Sequence, residues 1–146
     1  MQPPDGPDGA LDAAYRRTRY EVHSPDGLLV LQIGTPSLEL AVVHRKLRVE
    51  CSAFLTAWNP HSVPSPPAQN AAAHRQLQRQ IGELGLEFWP GWGRDPAGEW
   101  PAEQSLLVPG LALADAGRIA LHLGQNAIVH AAQDCVPRLI WLRPGA

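Results

Sequence analysis

The chain has 146 residues, 45% of them hydrophobic, with 12 basic and 14 acidic side chains and a formal charge of −2. That length makes one domain, burying about two-thirds of the surface its unfolded form exposes. The balanced charge argues against a nucleic-acid binder, and no apolar run reaches the roughly 20 residues of a membrane helix.

Residues 1–9 are rich in Pro, Gly and Asp and lack both a basic start and an apolar stretch. They are expected to form a disordered tail, not a leader, and the expected compartment is the cytoplasm. Residues 10–146 are expected to form a single α+β domain. A short helix over Ala10–Arg16 places Leu11 and Tyr15 one turn apart. Tyr20–His23 and Leu28–Ile33 flank the turn signal Ser24-Pro25-Asp26-Gly27 and predict a hairpin. Thr35 and Pro36 suit a helix cap and a first-turn proline, so a helix is expected over Ser37–Lys46, with a strand over Leu38–Val43 as the alternative. Arg48–Trp58 is apolar-rich and predicts a central strand, ending at Asn59-Pro60. Cys51, inside that run, is expected to be a buried small hydrophobe. With Cys135 the only other cysteine, no disulfide framework is indicated.

Residues 61–69 suggest a loop. Asn70 is placed to cap a helix whose stripe is Ala73, Leu77, Ile81 and Leu84, with Gly85 as its stop. Leu86–Trp92 and Glu99–Val108 flank the turn Gly93–Gly98. Leu113–Leu123 is the next helix, stopped by Gly124, and Asn126–Ala132 and Arg138–Leu142 are two further strands. The order is β-β-α-β-α-β-β-α-β-β after the short first helix. Hairpins dominate it, so a mostly antiparallel sheet with two or three helices packed on one face is expected.

Polar residues at the ends of apolar runs are the candidate site. Trp58 and Asn59 close the central strand, although Asn before Pro is also a common turn former. Arg94, Asp95 and Trp100 border the Gly93–Gly98 turn. Glu103 and Ser105 share one strand face, where a carboxylate and a hydroxyl can act together; the plainer alternative is a solvated face with Arg94 or Arg75 paired to Glu103. Gln125 and Asn126 sit between a helix stop and a strand, where amides either recognise a polar partner or satisfy loop carbonyls. The six histidines lack zinc-ligand spacing, no nucleophile elbow occurs, and neither a metal nor a cofactor is indicated.

Taken in order, Thr56-Ala57-Trp58-Asn59-Pro60, Asn70 with Arg75 and Leu77, Gly93–Trp100, Glu103 with Ser105, and Gly124–Val129 resemble a mostly bacterial family of unknown function, DUF3293. The resemblance runs from about Tyr15 to Leu142. It departs where Ala102 separates Pro101 from Glu103, and at His130, where an aromatic or apolar residue is usual. It implies a common fold and a shared polar set but carries no activity. If Trp58, Asn59, Arg75, Glu103, Gln125 and Asn126 gather at one rim of the sheet, they form an amide-rich pocket with one arginine and one carboxylate. The expected function is therefore a binding module for a polar ligand or a protein partner, with Trp89 and Trp92 as interface aromatics. The first alternative is a small hydrolase or transferase with Glu103 as general acid or base and Arg75 or Arg94 steadying an anion. The second is a nucleic-acid-associated protein, which would need arginines gathered on one folded face.

Overall fold

The computed structural model describes residues 9–142. All but the last residue of the expected tail lies outside that range, and Gly9 already begins a helix. The elements are α1 (Gly9–Arg17), β1 (Arg19–Ser24), β2 (Gly27–Leu31), α2 (Leu38–Leu47), β3 (Ser52–Thr56), a 3-10 turn (Pro60–Ser62), α3 (Pro67–Glu83), β4 (Trp89–Arg94), β5 (Glu103–Pro109), α4 (Leu113–His122), β6 (Ala127–Ala131) and β7 (Pro137–Trp141). Among the described residues, no helix is long and apolar enough to cross a membrane.

The seven strands form one sheet in the order β2-β1-β4-β5-β3-β6-β7, every neighbouring pair antiparallel. Side chains alternate across a strand, so β3 sends Ser52, Phe54 and Thr56 to one face and Ala53 and Leu55 to the other. Two apolar clusters follow. Phe54 packs with Tyr20, Val22, Leu107 and Val129 and with Leu40 and Val43 of α2. Leu55 packs with Leu106 and Val108, with Leu77 and Ile81 of α3, and with Ala116 and Ile119 of α4. The helices therefore cover both faces, not the one expected. The β3 strand is apolar on both sides because it is the layer they share.

The sheet curls toward the α2 side. Past β2, Gly34 N–H donates to Pro137 O (2.8 Å) and Ser37 N–H to Cys135 O (3.0 Å), which draws the two edge strands together at one end. At the other end α1 reaches across the opening. Trp141 Nε1 donates to Asp12 Oδ1 (3.0 Å), and the Tyr15 ring meets Trp141 edge-on at 5.5 Å. On the β1 side, Tyr20 OH donates to Tyr15 O at 2.7 Å. No residue of α1 is buried, so it lies on the molecule as a strap.

Local corrections follow from capping chemistry. The cap of α2 is Ser37, whose Oγ accepts from Leu40 N–H at 3.0 Å, and not Thr35 two residues earlier. Arg48 closes that helix in the left-handed region (φ 55°), which delays β3 to Ser52. The α3 helix begins at Pro67, so Asn70 lies inside it and caps nothing. Cys51 is only half-buried, its thiol donating to Leu111 O at 3.3 Å; Cys135 is the buried cysteine.

Candidate functional site

The registers of β4, β5 and β1 decide where the site forms. On the concave face Gly93 lies opposite both Tyr20 and Glu103, while Ser105 lies opposite both Gly91 and Thr56. The β4 strand thus sends two glycines where its neighbours send side chains. A Cβ at Gly91 would come within 2.8 Å of Glu21 O and of the Phe54 ring, so that position is closed. A Cβ at Gly93 would meet only Thr18 Cγ2, at 3.6 Å, and would stand in open space.

That space is a cavity of about 440 Å³. Its floor is Phe54, Gly93, Glu103 and Val129 of the sheet; α1 walls it with Leu11, Ala14 and Tyr15; Asn59, Ser62 and Trp100 border it from the loops. The α2 helix fills the other half of the concave face, and α1, lacking buried residues, leaves this half hollow.

Among the described residues of the lining Glu103 is the single carboxyl, and no Arg, Lys or His joins it. Burial pushes its carboxyl above the ordinary carboxylate range, against a smaller downward pull from the Asn59 amide. The donor is Asn59 Nδ2, 3.2 Å from Glu103 Oε2. Its orientation is fixed by the amide's other end. Asn59 Oδ1 accepts from Ser65 N–H (3.0 Å) and from Asn70 Nδ2 (2.8 Å), so only the NH₂ end can face the carboxyl. Asn70 Oδ1 in turn accepts from Asn59 N–H at 2.8 Å, holding Asn59 at a left-handed φ of 46°. An Asn–Asn–Glu chain thus aims the acid, and no hydrogen bond from a described side chain is made to Oε1 of Glu103. The carboxyl also raises the phenols of Tyr15 and Tyr20 slightly, beyond the larger effect of their own burial.

The other sequence candidates lie elsewhere. Ser105 lines the floor, with its hydroxyl donating back to Glu103 O at 3.0 Å. Gln125 is buried beside the cavity but not in it, donating from Nε2 to Trp58 O (3.1 Å); Asn126 donates to Ser62 Oγ (2.9 Å). Trp58 is half-buried. The amides therefore tie down the loop around Asn59 and form no open patch. Arg94 pairs with Glu21 at 2.7 Å, its β4 position facing away from the cavity, and Arg75 is exposed on α3, so neither meets Glu103. Asp95 is a turn former, accepting from the N–H groups of Ala97 (3.1 Å) and Glu99 (2.8 Å). Trp92 meets His23 edge-on at 5.0 Å, and Trp89 is buried with Nε1 on Glu87 (2.8 Å).

Sequence reasoning missed Tyr15, Ser62 and Gly93. The signal for Gly93 was present: glycines two apart in a strand remove side chains from one face. It also missed a buried chain under α2, in which His44 Nε2 lies 2.7 Å from Ser52 Oγ and Nδ1 lies 3.3 Å from Cys135 Sγ. Burial lowers His44 and raises Cys135, which favours the neutral form of each. Among the described residues no group of three His, Cys, Asp or Glu side chains is placed to hold a metal.

The fold and cavity define a curled antiparallel α+β domain with an acid-bearing hollow on its concave face. The chain belongs to DUF3293, a family described as a protein of unknown function, whose model matches residues 55–128 and so contains Asn59, Asn70 and Glu103. No curated protein and no solved structure matches it.

Proposed function

We propose that this protein is a small-ligand binding module whose site is the hollow around Glu103. The observation that carries this reading is a carboxyl fixed by a dedicated amide chain, with one oxygen left unused, at the floor of a mostly apolar cavity. Its volume of about 440 Å³ suits a small molecule, and small-molecule sites are typically apolar with a few placed polar groups. The ligand in this reading is mainly apolar with one polar or cationic group set against Glu103. That replaces recognition across an amide-rich surface. The compartment we assign is the cytoplasm, where the free thiols Cys51 and Cys135 stay reduced.

A ligand that prefers the folded chain raises its melting temperature, by an amount set by concentration over affinity. A thermal-shift screen of small apolar donors, run beside a Gly93→Val variant with the floor filled, tests this. Hits confined to the native chain support the reading; hits shared equally with Gly93→Val refute it.

One observation favours a second reading, in which Glu103 is a general acid in a hydrolase or transferase. The Glu103 carboxyl is half-buried and its pKa is raised by burial, the direction in which proteins tune a general acid. Turnover of a bound hit, abolished in Glu103→Gln with binding retained, would select it.

A further inference from the structure

Resting on that reading of the cavity, the charge and ring distribution around it narrows the ligand class. Among the described residues that line it, the one Asp, Glu, Arg, Lys or His is Glu103, and Tyr15, Tyr20, Phe54 and Trp100 are the aromatic members. An anion entering it would lose its water shell beside a carboxyl and find no basic side chain in compensation. A cation would find the opposite. Ring faces are negative, and an aromatic enclosure with a carboxylate is suited to a positively charged nitrogen. Trp100 already supports one cation, the Arg17 guanidinium 5.2 Å from its ring centre. Arg17 is not the missing counter-charge, since it faces Asp95 (3.8 Å) and Glu99 (3.9 Å) outside the hollow.

We propose that the cavity binds an organic monocation, an amine or quaternary ammonium on an apolar body, with the nitrogen against Glu103 and the body among the four aromatic rings. Among the described residues that line the cavity none offers the half-buried carboxyl a counter-charge, and such a ligand brings one. The Asn59 amide holds Oε2 and leaves Oε1 to face the incoming group.

The test separates this proposal from the cavity reading beneath it. Calorimetry on the full chain would compare phenyltrimethylammonium with tert-butylbenzene, which share shape and differ in charge, and benzylamine with benzyl alcohol and benzoate. The expected result is binding of each cation about tenfold or more tighter than its neutral counterpart, the scale of an added charged contact, and no binding of benzoate. In Glu103→Gln that preference should fall to about onefold while neutral binding persists. Equal affinities for cation and neutral counterpart in the native chain, lost in Gly93→Val, overturn the monocation proposal and leave the cavity standing. Binding of benzoate above benzylamine overturns it too. Absence of binding by every probe overturns both.

Discussion

Two glycines of β4 lie two residues apart on the same face, and the structure gives them opposite responses to the same substitution. At Gly93 a methyl group would meet only Thr18 Cγ2, at an ordinary 3.6 Å. Replacing glycine by alanine in a backbone that accepts it stabilises by about 0.4–1 kcal/mol, because the unfolded chain loses freedom. For a domain of this length that raises the melting temperature by about 1–3 °C. At Gly91 the same methyl group would lie 2.8 Å from both Glu21 O and the Phe54 ring, one of them backbone in a neighbouring strand. Overpacking of that kind costs about 1–3 kcal/mol, a fall of about 3–10 °C. Thermal melts followed by circular dichroism on both alanine variants give the two signs directly. Gly93→Val then carries the functional half, since its branched side chain projects opposite Glu103 and removes the room beside the carboxyl. A destabilised Gly93→Ala, a neutral Gly91→Ala, or a Gly93→Val that still binds would each refute the account of the floor.

Glu103 has a folded-state pKa raised by burial, so its contribution to stability is full below the ordinary carboxyl value and is lost as pH rises toward the raised one. Urea titrations across that window should show a falling stability in the native chain that is absent in Glu103→Gln; parallel curves would refute the burial argument. His44, His74 and His130 are all lowered, burial being the first cause in each. Their contribution is full above about pH 6.5 and is lost as pH falls below it, where the unfolded chain takes up protons the fold refuses. His74→Gln should flatten part of that acid slope in urea titrations; an unchanged slope counts against its burial as the cause. Asn70→Ala strips the acceptor from Asn59 N–H and one donor from its Oδ1, and should cost about 1–3 kcal/mol in urea unfolding. A cost near zero would mean that the Asn–Asn–Glu chain does not hold the loop.

Most of the strand and helix order could be read from local chemistry: Ser24-Pro25-Asp26-Gly27 as a hairpin turn, Gly85 and Gly124 at positive φ where helices stop. The two-sided helix packing could not. Whether α2 falls on the face of α3 depends on β3 inserting between β5 and β6, a pairing that no local pattern encodes. Asn59, Asn70 and Glu103 each stood out as polar residues at apolar ends. Their mutual bonds span 11 and 44 residues of chain, and Asn70 looked like a helix cap because Pro67, which starts α3, lay in an apparent loop. Arg75 was grouped with the site on its position along the chain, but the helix turns it outward. A hollow is harder still to see in advance, since it consists of what Gly93 lacks.

The strand order also predicts a sequence of assembly. The β1–β2, β4–β5 and β6–β7 pairs are neighbours in the chain and close over short loops, whereas β3 has no neighbour it can pair with until β5 and β6 exist. On a growing chain its apolar Ser52–Thr56 segment must wait for β5, whose pairing positions lie about fifty residues downstream, while loop closure over such distances slows folding. Because Thr56 leads directly into Asn59, the acid cannot be aimed before that late docking step. On the proposed binding reading, ligand present during synthesis would therefore meet a receptive molecule only at the end of folding, and would act on the final state, not on the route to it.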